Sequence, residues 1–389
     1  MEKTYRKSLV FSAACVGMLL FGVSFITLGA VTLPLRAKFG LSELETAALF
    51  AVLPVGIITG SMLFGPVADR YGYKGLMIAA CLALSVGFMG IAYAPSLGVL
   101  KACVYFFGFG GGAMNGSTNA LVSLISGQDR VARLSLLGVF YGIGALGMPV
   151  LLGAVEGRMP YEHIVGSVSA LTLLAALFFL TIRFPAAQRA VPFSISIARK
   201  VVRNRMAILV ALFLFLQMGM EAAVNNWTTT FLVGHQGVAR ENALYGLSIL
   251  VSGMTVMRIL IGSLFKGMPG SRLLLLSLAL IFIGVLVLSF PVGFVVLAVG
   301  LALLGAGMAA GVPLMLSVVG ALFSEMAGTA FSVVIVIGLV GNLALNYLVG
   351  YITEQYGIGY FAYALFAQWG LMALLAYIIS QQINKRLIP

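Results

Sequence analysis

The feature that most constrains this chain is the length of its uncharged apolar runs. Fifty-two consecutive residues between Arg272 and Glu325 carry no charge, and the segment from Lys74 to Asp129 is interrupted only by Lys101. About 20 apolar residues are enough to cross a bilayer as a helix. Because soluble domains carry about 25% charged residues, the 9% of this chain could not cover a water-facing surface. The sequence predicts an all-α membrane protein.

Counting the apolar segments between charged or turn-forming clusters predicts twelve transmembrane helices. The first apolar run is too long for a signal peptide and lacks a small-residue cleavage site, so we expect no cleavable signal. The spans are expected at 9–34, 46–67, 74–94, 98–124, 134–156, 162–183, 206–233, 241–265, 271–290, 292–320, 326–352 and 358–383.

The net charge of +12 has two explanations, a polyanionic partner or the enrichment of basic residues in the cytoplasmic loops of membrane proteins. With the N-terminus inside, Arg258 lies within a span and five basic residues fall outside or near the outer surface: Arg36, Lys38, Lys101, Arg158 and Arg240. Seventeen fall inside: Lys3, Arg6, Lys7, Arg70, Lys74, Arg130, Arg133, Arg183, Arg189, Arg199, Lys200, Arg203, Arg205, Lys266, Arg272, Lys385 and Arg386. This ratio predicts a multi-pass protein of the cell (inner) membrane with both termini in the cytoplasm and no nucleic-acid partner.

One glycine pattern resembles a nucleotide-binding turn. Residues 142–147, "GIGALG", spell G-x-G-x-x-G, and Glu162 lies twenty residues after the first glycine. A dinucleotide-binding turn needs a preceding strand, whereas both flanks here are apolar helix. In lipid, small residues at such spacing let helices approach closely, as in "GFGGGAMNG" at 108–116. We therefore interpret these glycines as helix-packing surfaces and expect no nucleotide or other cofactor.

The chain contains an internal repeat at an offset of 197 residues. Nine glycines of the first half fall on glycines of the second, where chance predicts about three. The pairs are Gly22/Gly219, Gly40/Gly237, Gly56/Gly253, Gly65/Gly262, Gly87/Gly284, Gly108/Gly305, Gly110/Gly307, Gly144/Gly341 and Gly153/Gly350. The repeat predicts an N-terminal six-helix bundle (1–184) and a C-terminal six-helix bundle (206–389). The basic linker between them (185–205) is expected to be cytoplasmic and to form in part an amphipathic helix on anionic lipid.

Residues 65–75, "GPVADRYGYKG", resemble the G-x-L-A-D-R-x-G-R-K-x signature of the major facilitator superfamily. The usual basic residue is replaced by a tyrosine at position 73, and the second-half counterpart, "GSLFKGMPG" at 262–270, lacks the acid. The resemblance implies two pseudo-symmetric bundles around a central cavity. It also implies that this loop joins the two halves in the outward-open state, and the residues carried over to that gating role are Gly65, Asp69, Arg70, Gly72 and Lys74.

The seventh span, "LQMGMEAAVNNWTTTFL", resembles that of the fucose permease-like sugar:proton symporters, as do "NGSTNALVSLI" in the fourth span and "RLSLLGVFYGIGALGMP" in the fifth. The resemblance implies proton-coupled import of a sugar-like solute. The characterised symporters of this family carry carboxylates in spans one and four. Here the first span has none and the fourth offers only Asn115 and Asn119, so the usual proton site is missing.

Two ionisable residues fall deep inside predicted spans, where a charge is costly and therefore indicates function. They are Glu221, near the middle of the seventh span, and Arg258 in the eighth, which either pairs with Glu221 or snorkels to the cytoplasmic surface. Glu221 falls on a predicted helical stripe with Gln217, Asn225 and Thr228. A proton carried by Glu221 is the expected coupling mechanism.

Three further polar or aromatic residues have two interpretations each. Asn342 and Asn346 in the eleventh span, like the polar stripe of the seventh span, offer amide donors and acceptors suited to hydroxyl-rich solutes. Alternatively, these amides hold membrane helices together. Trp227 either stacks on a sugar face or anchors the outer membrane interface. The expected partners are thus a small-molecule substrate, protons and membrane lipids, and the chain is expected to act as a monomer.

Other functional classes find little support in the sequence. Cys15, Cys81 and Cys103 lie far apart within spans, so neither a disulfide nor a metal site is expected. No nucleophile–base pair indicates an enzyme. The alternative to a sugar importer is a proton-coupled exporter of amphipathic drugs or metabolites, since 18 methionines and 26 phenylalanines would suit an adaptable apolar pocket.

Overall fold

The computed structural model describes residues 5–41, 43–154, 159–186 and 195–387. Within these ranges the regular elements are α-helices and three one-turn 3₁₀ helices, with no strand. The helices are α1 Lys7–Ala30, α2 Thr32–Phe39, α3 Glu43–Tyr71, α4 Tyr73–Tyr93, α5 Leu97–Ser126, α6 Arg130–Ala154, α7 Tyr161–Thr181, α8 Ile195–Arg203, α9 Arg205–Gly234, α10 Arg240–Gly262, α11 Gly270–Leu288, α12 Phe294–Met308, α13 Gly311–Leu322, α14 Ala327–Tyr356 and α15 Phe361–Leu387.

The apolar runs form helices because lipid offers the backbone no hydrogen-bond partner, so each N–H and C=O must be satisfied within its own segment. Eleven described stretches are long and apolar enough to cross a bilayer. One of them, Leu97–Met148, is 52 residues long and contains α5 together with most of α6. Counted as two, it gives the predicted twelve spans, and the all-α membrane fold is confirmed.

Three predicted boundaries were wrong. The first span, expected at 9–34, ends at Ala30 and is followed by the separate helix α2. The expected loop at 65–75 is almost entirely helical, since α3 continues to Tyr71 and only Gly72, at φ +82°, separates it from α4. A glycine tolerates this left-handed backbone without strain. The tenth span, expected as one helix at 292–320, is broken between Met308 and Gly311.

Glycines that correspond in the two repeats make equivalent helix crossings. A Cβ on Gly144 of α6 would lie 2.2 Å from the Leu19 carbonyl oxygen of α1. Its counterpart Gly341 of α14 would meet the Phe215 carbonyl oxygen of α9 at the same distance. Gly144 in "GIGALG" therefore packs against a neighbouring helix, as the sequence predicts, whereas a Cβ on Gly147 would have no atom within 4 Å. At Gly144 and Gly341 the repeat extends to the way helices pack within each half.

We expect that Gly305→Ala lowers the stability of the protein. A Cβ at Gly305 in α12 would lie 2.0 Å from the Leu250 carbonyl oxygen of α10, so the two helices must separate. Overpacking of this kind costs about 1–3 kcal/mol, which for a chain of this length is a fall of about 1–4 °C in Tm. Thermal unfolding in detergent measures the effect. The control is Gly370→Ala in α15, where no atom lies within 4 Å of the new Cβ. An unchanged Tm in Gly305→Ala would contradict the close packing.

The chain divides into two compact units that do not coincide with the two halves of the sequence. Unit 1 comprises Met1–Gly127, Leu137–Ala198 and Phe323–Ser332, and unit 2 comprises Gln128–Leu136, Arg199–Leu322 and Val333–Pro389. Each half thus contributes one short segment to the other unit. The repeat offset of 197 moves residues 128–136 onto 325–333, which nearly coincides with the segment at 323–332, so the exchanged segments are repeat equivalents. The predicted domains, 1–184 and 206–389 with linker 185–205, stay a prediction.

Part of the predicted linker is helical. Residues 187–194 lie outside the described ranges, as do Lys3, Arg158 and Arg189 of the charge count. In α8, Arg199, Lys200 and Arg203 are exposed, whereas Val201 is buried. This division of polar and apolar side chains is that of an amphipathic helix.

Candidate functional site

The most unusual residue for its position is Glu221, in the middle of α9. Asn204 caps this thirty-residue helix by accepting a hydrogen bond from the Ala207 amide at 3.1 Å, which fixes its start at Arg205. Glu221 lies sixteen residues further, about 24 Å along the axis. Its side chain is half-buried, and no other described membrane-spanning helix carries a carboxylate near its middle.

Arg258 is the basic residue that acts on Glu221. It is half-buried on α10, four residues before that helix ends at Gly262. Its guanidinium interacts electrostatically with the Glu221 carboxylate. Both residues belong to unit 2. Opposite charges in a membrane-spanning region reduce each other's cost, so the pair adds little net charge to this region.

The predicted stripe on α9 is not uniformly accessible. Gln217 and Thr228 have no exposed surface, whereas Asn225 is half-buried. The accessible side of the helix is turned away from Gln217 and carries Asn226, which is exposed, and Thr229, which is half-buried. Asn226 and Thr229 fall outside the predicted stripe, which runs through positions 217, 221, 225 and 228. Asn226 and Thr229 share this side with the exposed Ile208, Leu212 and Val233, so it is polar only around residues 225–230.

Gln217 stabilises the break in the tenth span. Its Nε2 group donates to the Met308 carbonyl oxygen at 2.9 Å, at the last residue of α12. From α11, Ser277 donates through its hydroxyl to the neighbouring Gly307 carbonyl oxygen. Both carbonyls lie where the helix is interrupted, so side chains supply donors there. Within the described structure, Gln217 is thus placed at this break instead of at an accessible surface.

Asn346 of α14 is the centre of a polar cluster in unit 2. Its Oδ1 atom accepts hydrogen bonds from the Trp227 indole Nε1 and from the Asn226 Nδ2 group, each at 3.1 Å. Asn342, one turn earlier, makes a longer bond of 3.4 Å from its Nδ2 group to the Met218 carbonyl oxygen. The structure therefore brings Trp227 and Asn346 together, and adds Asn226 to them.

The predicted amides of unit 1 bond to each other. Asn119 is 7% exposed and donates from Nδ2 to the Asn115 carbonyl oxygen at 2.8 Å and to its Oδ1 at 3.0 Å. In the same unit, Phe21 and Phe25 of α1 form a ring cluster with Tyr141 of α6, with centroids 5.5–6.2 Å apart. Phe25 is 45% exposed. This aromatic cluster has no regular spacing in the sequence and was not predicted.

Asp69, a predicted gating residue, contacts the start of α14. Its Oδ2 atom accepts hydrogen bonds from the Thr329 amide at 2.8 Å and the Thr329 hydroxyl at 2.6 Å, and its Oδ1 atom accepts one from the Gly328 amide at 3.1 Å. A carboxylate at a helix N-terminus bonds amides that have no partner within the helix and favours the positive end of the helix dipole. Asp69 is 8% exposed. We refer to these bonds as the Asp69 contact.

Glycine and serine residues allow the helices to meet closely beside this contact. A Cβ on Gly65 would lie 2.5 Å from the Gly328 carbonyl oxygen, and the Ser332 hydroxyl donates to the Met62 carbonyl oxygen at 3.0 Å. The other predicted gating residues lie elsewhere. Arg70 is exposed with its guanidinium 5.2 Å from the Tyr71 ring centre, and Lys74 donates to the Leu180 carbonyl oxygen at the end of α7 at 2.6 Å.

The repeat counterpart of Asp69 is Lys266, and it makes a contact of opposite charge in unit 2. Its Nζ atom lies 3.2 Å from Asp129 Oδ2, just before α6, and both side chains are largely exposed. Next to it, Arg130 donates to the Ser317 carbonyl oxygen at 3.1 Å. We refer to the Lys266–Asp129 pair as the Lys266 contact. Being exposed, it contributes little stability, about 0–1 kcal/mol for such pairs in general.

Comparison with proteins of known structure identifies the fold. The chain superposes on the Escherichia coli fucose:proton symporter FucP with a TM-score of 0.78, covering 95% of this chain and 98% of that chain at 18% identity. It superposes equally well on the proton:xylose symporter XylE, covering 98% and 96% at 14% identity. At these identities the likeness concerns the fold alone.

Sequence comparison identifies the family. A probable nitrate transporter, NarT, of Staphylococcus epidermidis is 22% identical over 354 residues, which is 88% of this chain and 89% of the relative. The family model described as Major Facilitator Superfamily matches residues 13–297, nearly three quarters of the chain. The protein is therefore a multi-pass membrane transporter, and it belongs to the major facilitator superfamily.

Proposed function

We propose that this chain imports a small neutral polar solute of the sugar class by alternating access, coupled to proton symport. The observation that carries the proposal is the half-buried Glu221 in the middle of α9, one helical turn before the half-buried Asn225. Amides offer both donors and acceptors, as sugar hydroxyls require. The nearby Arg258 offsets the charge of Glu221, which favours a neutral solute over an ion.

Glu221 is the residue we propose for proton coupling. A carboxylate at this depth is costly when charged and less costly when it carries a proton. As access alternates, the protonation of Glu221 would therefore follow the pH of the side to which it is open. The resemblance of the seventh span to fucose permease-like symporters, and the fold shared with FucP and XylE, both named proton symporters, support this choice. Asn115 and Asn119 lie in the fourth span, where the resemblance to the fucose permease-like symporters implies a carboxylate, and they serve in this proposal as solute contacts.

Alternating access would use the repeated bundles as moving bodies, with residues 1–184 and 206–389 joined by the cytoplasmic linker 185–205. The Asp69 contact would hold the cytoplasmic side closed until solute and proton are bound. Buried charge-assisted hydrogen bonds give such a contact a discrete closed state. The transporter would work as a monomer in the cell membrane with both termini in the cytoplasm.

The test is uptake into proteoliposomes under an imposed pH gradient, acidic on the side that corresponds to the cell exterior. The panel contains D-glucose, D-galactose, L-fucose, D-xylose, nitrate and a lipophilic cation. We expect at least one sugar to accumulate at least fivefold above its equilibrium level, with accumulation abolished by a protonophore. Transport of the lipophilic cation alone would instead support the exporter.

A second candidate is transport of an inorganic anion. It rests on Arg258, a half-buried guanidinium within a membrane-spanning helix, and on the similarity to the relative named as a probable nitrate transporter. The electrostatic influence between Arg258 and Glu221 weakens it, because a neighbouring carboxylate makes a guanidinium less attractive to an anion. Accumulation of nitrate without any sugar in the same panel would favour this candidate over the first.

A further inference from the structure

The start of α13 places polar backbone groups inside the tenth span. The Leu314 amide donates to the Ala310 carbonyl oxygen at 3.0 Å, and Pro313 has no N–H. The Gly311 and Val312 amides therefore have no acceptor within their own helix. Because hydrocarbon cannot bond such groups, a helix start at this depth needs partners from other helices or from water.

Gln217 of α9 brings a second polar group to the same place. Its side chain has no exposed surface. Its Nε2 group donates to the Met308 carbonyl oxygen, but its Oε1 atom receives no hydrogen bond from the described residues. A Cβ on Gly311 would lie 2.7 Å from Oε1, so this acceptor points at the first residue of α13. A buried acceptor left without a donor costs about 1–3 kcal/mol.

The small molecule that matches these groups is water. Gln217 Oε1 needs a donor and the amides at the start of α13 need an acceptor, and one water molecule supplies both. A monovalent cation would suit Oε1 but would be repelled by those amides and by the adjacent Nε2 group. Moreover, α12 and α13 carry no charged side chain that could offset a cation.

This place lies between Glu221 and the end of α9 that adjoins the linker. Gln217 is one helical turn before Glu221, on the same side of the helix. It is twelve residues from the start of α9 at Arg205, which is about 18 Å. The charged residue that acts on Glu221 is Arg258 of α10, whereas α12 and α13 contribute no titratable group. Any proton that leaves Glu221 toward the linker side therefore has neutral polar groups beside its path.

We propose that the break in the tenth span holds a buried water molecule, bonded to Gln217 Oε1, through which Glu221 releases its proton to the cytoplasmic side. The relay rests on the proposed proton symport, whereas the water site does not. The O–H bond of protonated Glu221 breaks, its proton passes to the water, and that water passes one of its protons to cytoplasmic solvent. Gln217 only accepts a hydrogen bond, so it is the positioning residue for the water.

X-ray footprinting tests for the water without a transport assay, because hydroxyl radicals formed from bound water oxidise the side chains beside it. The Phe213 ring is 1% exposed, and its Cε1 atom lies 3.2 Å from the same Cβ position on Gly311. The control is Phe88, which has no exposed surface and packs against the Phe107 ring. We expect Phe213 to be oxidised several-fold faster than Phe88 in the wild type, and Gln217→Leu to remove the difference.

Gly311→Ala is a second variant for the same measurement, should Gln217→Leu fail to fold. Its new Cβ would lie 2.7 Å from Oε1, at the flexible end of the glutamine, so the amide must move away. We expect the oxidation of Phe213 to fall to the rate of Phe88 in this variant as well.

Transport kinetics test the relay with the sugar that the wild type accumulates. In Gln217→Leu we expect the initial rate of uptake driven by a pH gradient to fall by about tenfold, because proton transfer loses a positioned partner. Counterflow at equal pH needs no proton release and should stay near the wild-type rate. Ser277→Ala removes the other side-chain bond at the break and is the control, in which the ratio of the two rates should not change.

The water, the relay and the proposed function fail in different ways. Equal oxidation of Phe213 and Phe88 in the wild type would overturn the water site. If replacing sodium by choline lowers the Tm of the wild type but not of Gln217→Leu, a cation occupies the break and the inference is wrong. A wild-type ratio of the two rates in folded Gln217→Leu would refute the relay. If no sugar accumulates in wild-type proteoliposomes, the proposed function and the relay both fail, while oxidation of Phe213 would still establish the water.

Discussion

Asp69→Asn is expected to slow the transport cycle by one to two orders of magnitude while leaving solute binding intact. The carboxylate accepts three hydrogen bonds from Gly328 and Thr329 at the start of α14. Bonds to a charged acceptor contribute about 1.5–3 kcal/mol each. An asparagine keeps one oxygen but turns an amino group toward amide donors. We expect a net loss of about 2–3 kcal/mol, or about 30- to 150-fold in the stability of the closed state.

The measurements are the turnover rate in proteoliposomes and equilibrium binding of the transported solute in detergent. Lys266→Met is the matched control, because it removes the repeat counterpart of Asp69 from an exposed pair. Its turnover should change less than about fivefold, as exposed ion pairs contribute about 0–1 kcal/mol. Loss of solute binding in a folded Asp69→Asn protein would show that the gating assignment is wrong.

Glu221→Gln is expected to abolish solute accumulation driven by a pH gradient while preserving exchange between compartments of equal pH. Glutamine has nearly the same shape and keeps one acceptor, but it cannot bind or release a proton. If Glu221 carries the coupled proton, the solute can still cross in either direction but is no longer driven. The ratio of inside to outside solute should fall from at least fivefold to one.

Two assays separate this role from a structural one. Gradient-driven accumulation reports coupling, and counterflow of labelled against unlabelled solute reports the solute site. Glu162→Gln at the start of α7 is the control, since it removes a carboxylate far from the middle of a span. Loss of counterflow as well would mean that Glu221 holds Arg258 or the solute in place. Undiminished accumulation would end the coupling assignment.

The helices could be predicted well from the sequence because the signal for each one lies within its own segment of the chain. A run of apolar residues must be helical in lipid, and its length is visible directly. The glycine repeat was equally informative, because close helix crossings leave no room for a side chain at Gly144 or Gly341. Residue spacing within one helix is also local, so the depth of Glu221 in α9 could be counted from Arg205.

The features that could not be predicted depend on contacts between residues far apart in the chain. The break after Met308 lies in a continuously apolar segment and is supported by Gln217, 91 residues away. Likewise, the partner of Asp69 is Thr329, 260 residues further on. The accessible side of α9 depends on which neighbours cover it, so the helical stripe through Glu221 included the buried Thr228 and left out Asn226.

Because the Asp69 and Lys266 contacts differ in exposure, dissolved salt should affect these two repeat-equivalent contacts to different degrees. An exposed ion pair weakens as salt rises and the Debye length falls, from about 10 Å at 0.1 M to about 3 Å at 1 M, whereas buried groups are screened far less. Lys266 and Asp129 are exposed by 52% and 41%, whereas Asp69 is 8% exposed. A rise in external or cellular ionic strength should therefore weaken the Lys266 contact and leave the Asp69 contact nearly unchanged. Gene duplication would have kept the location of the contact but left its two copies with different responses to osmotic stress.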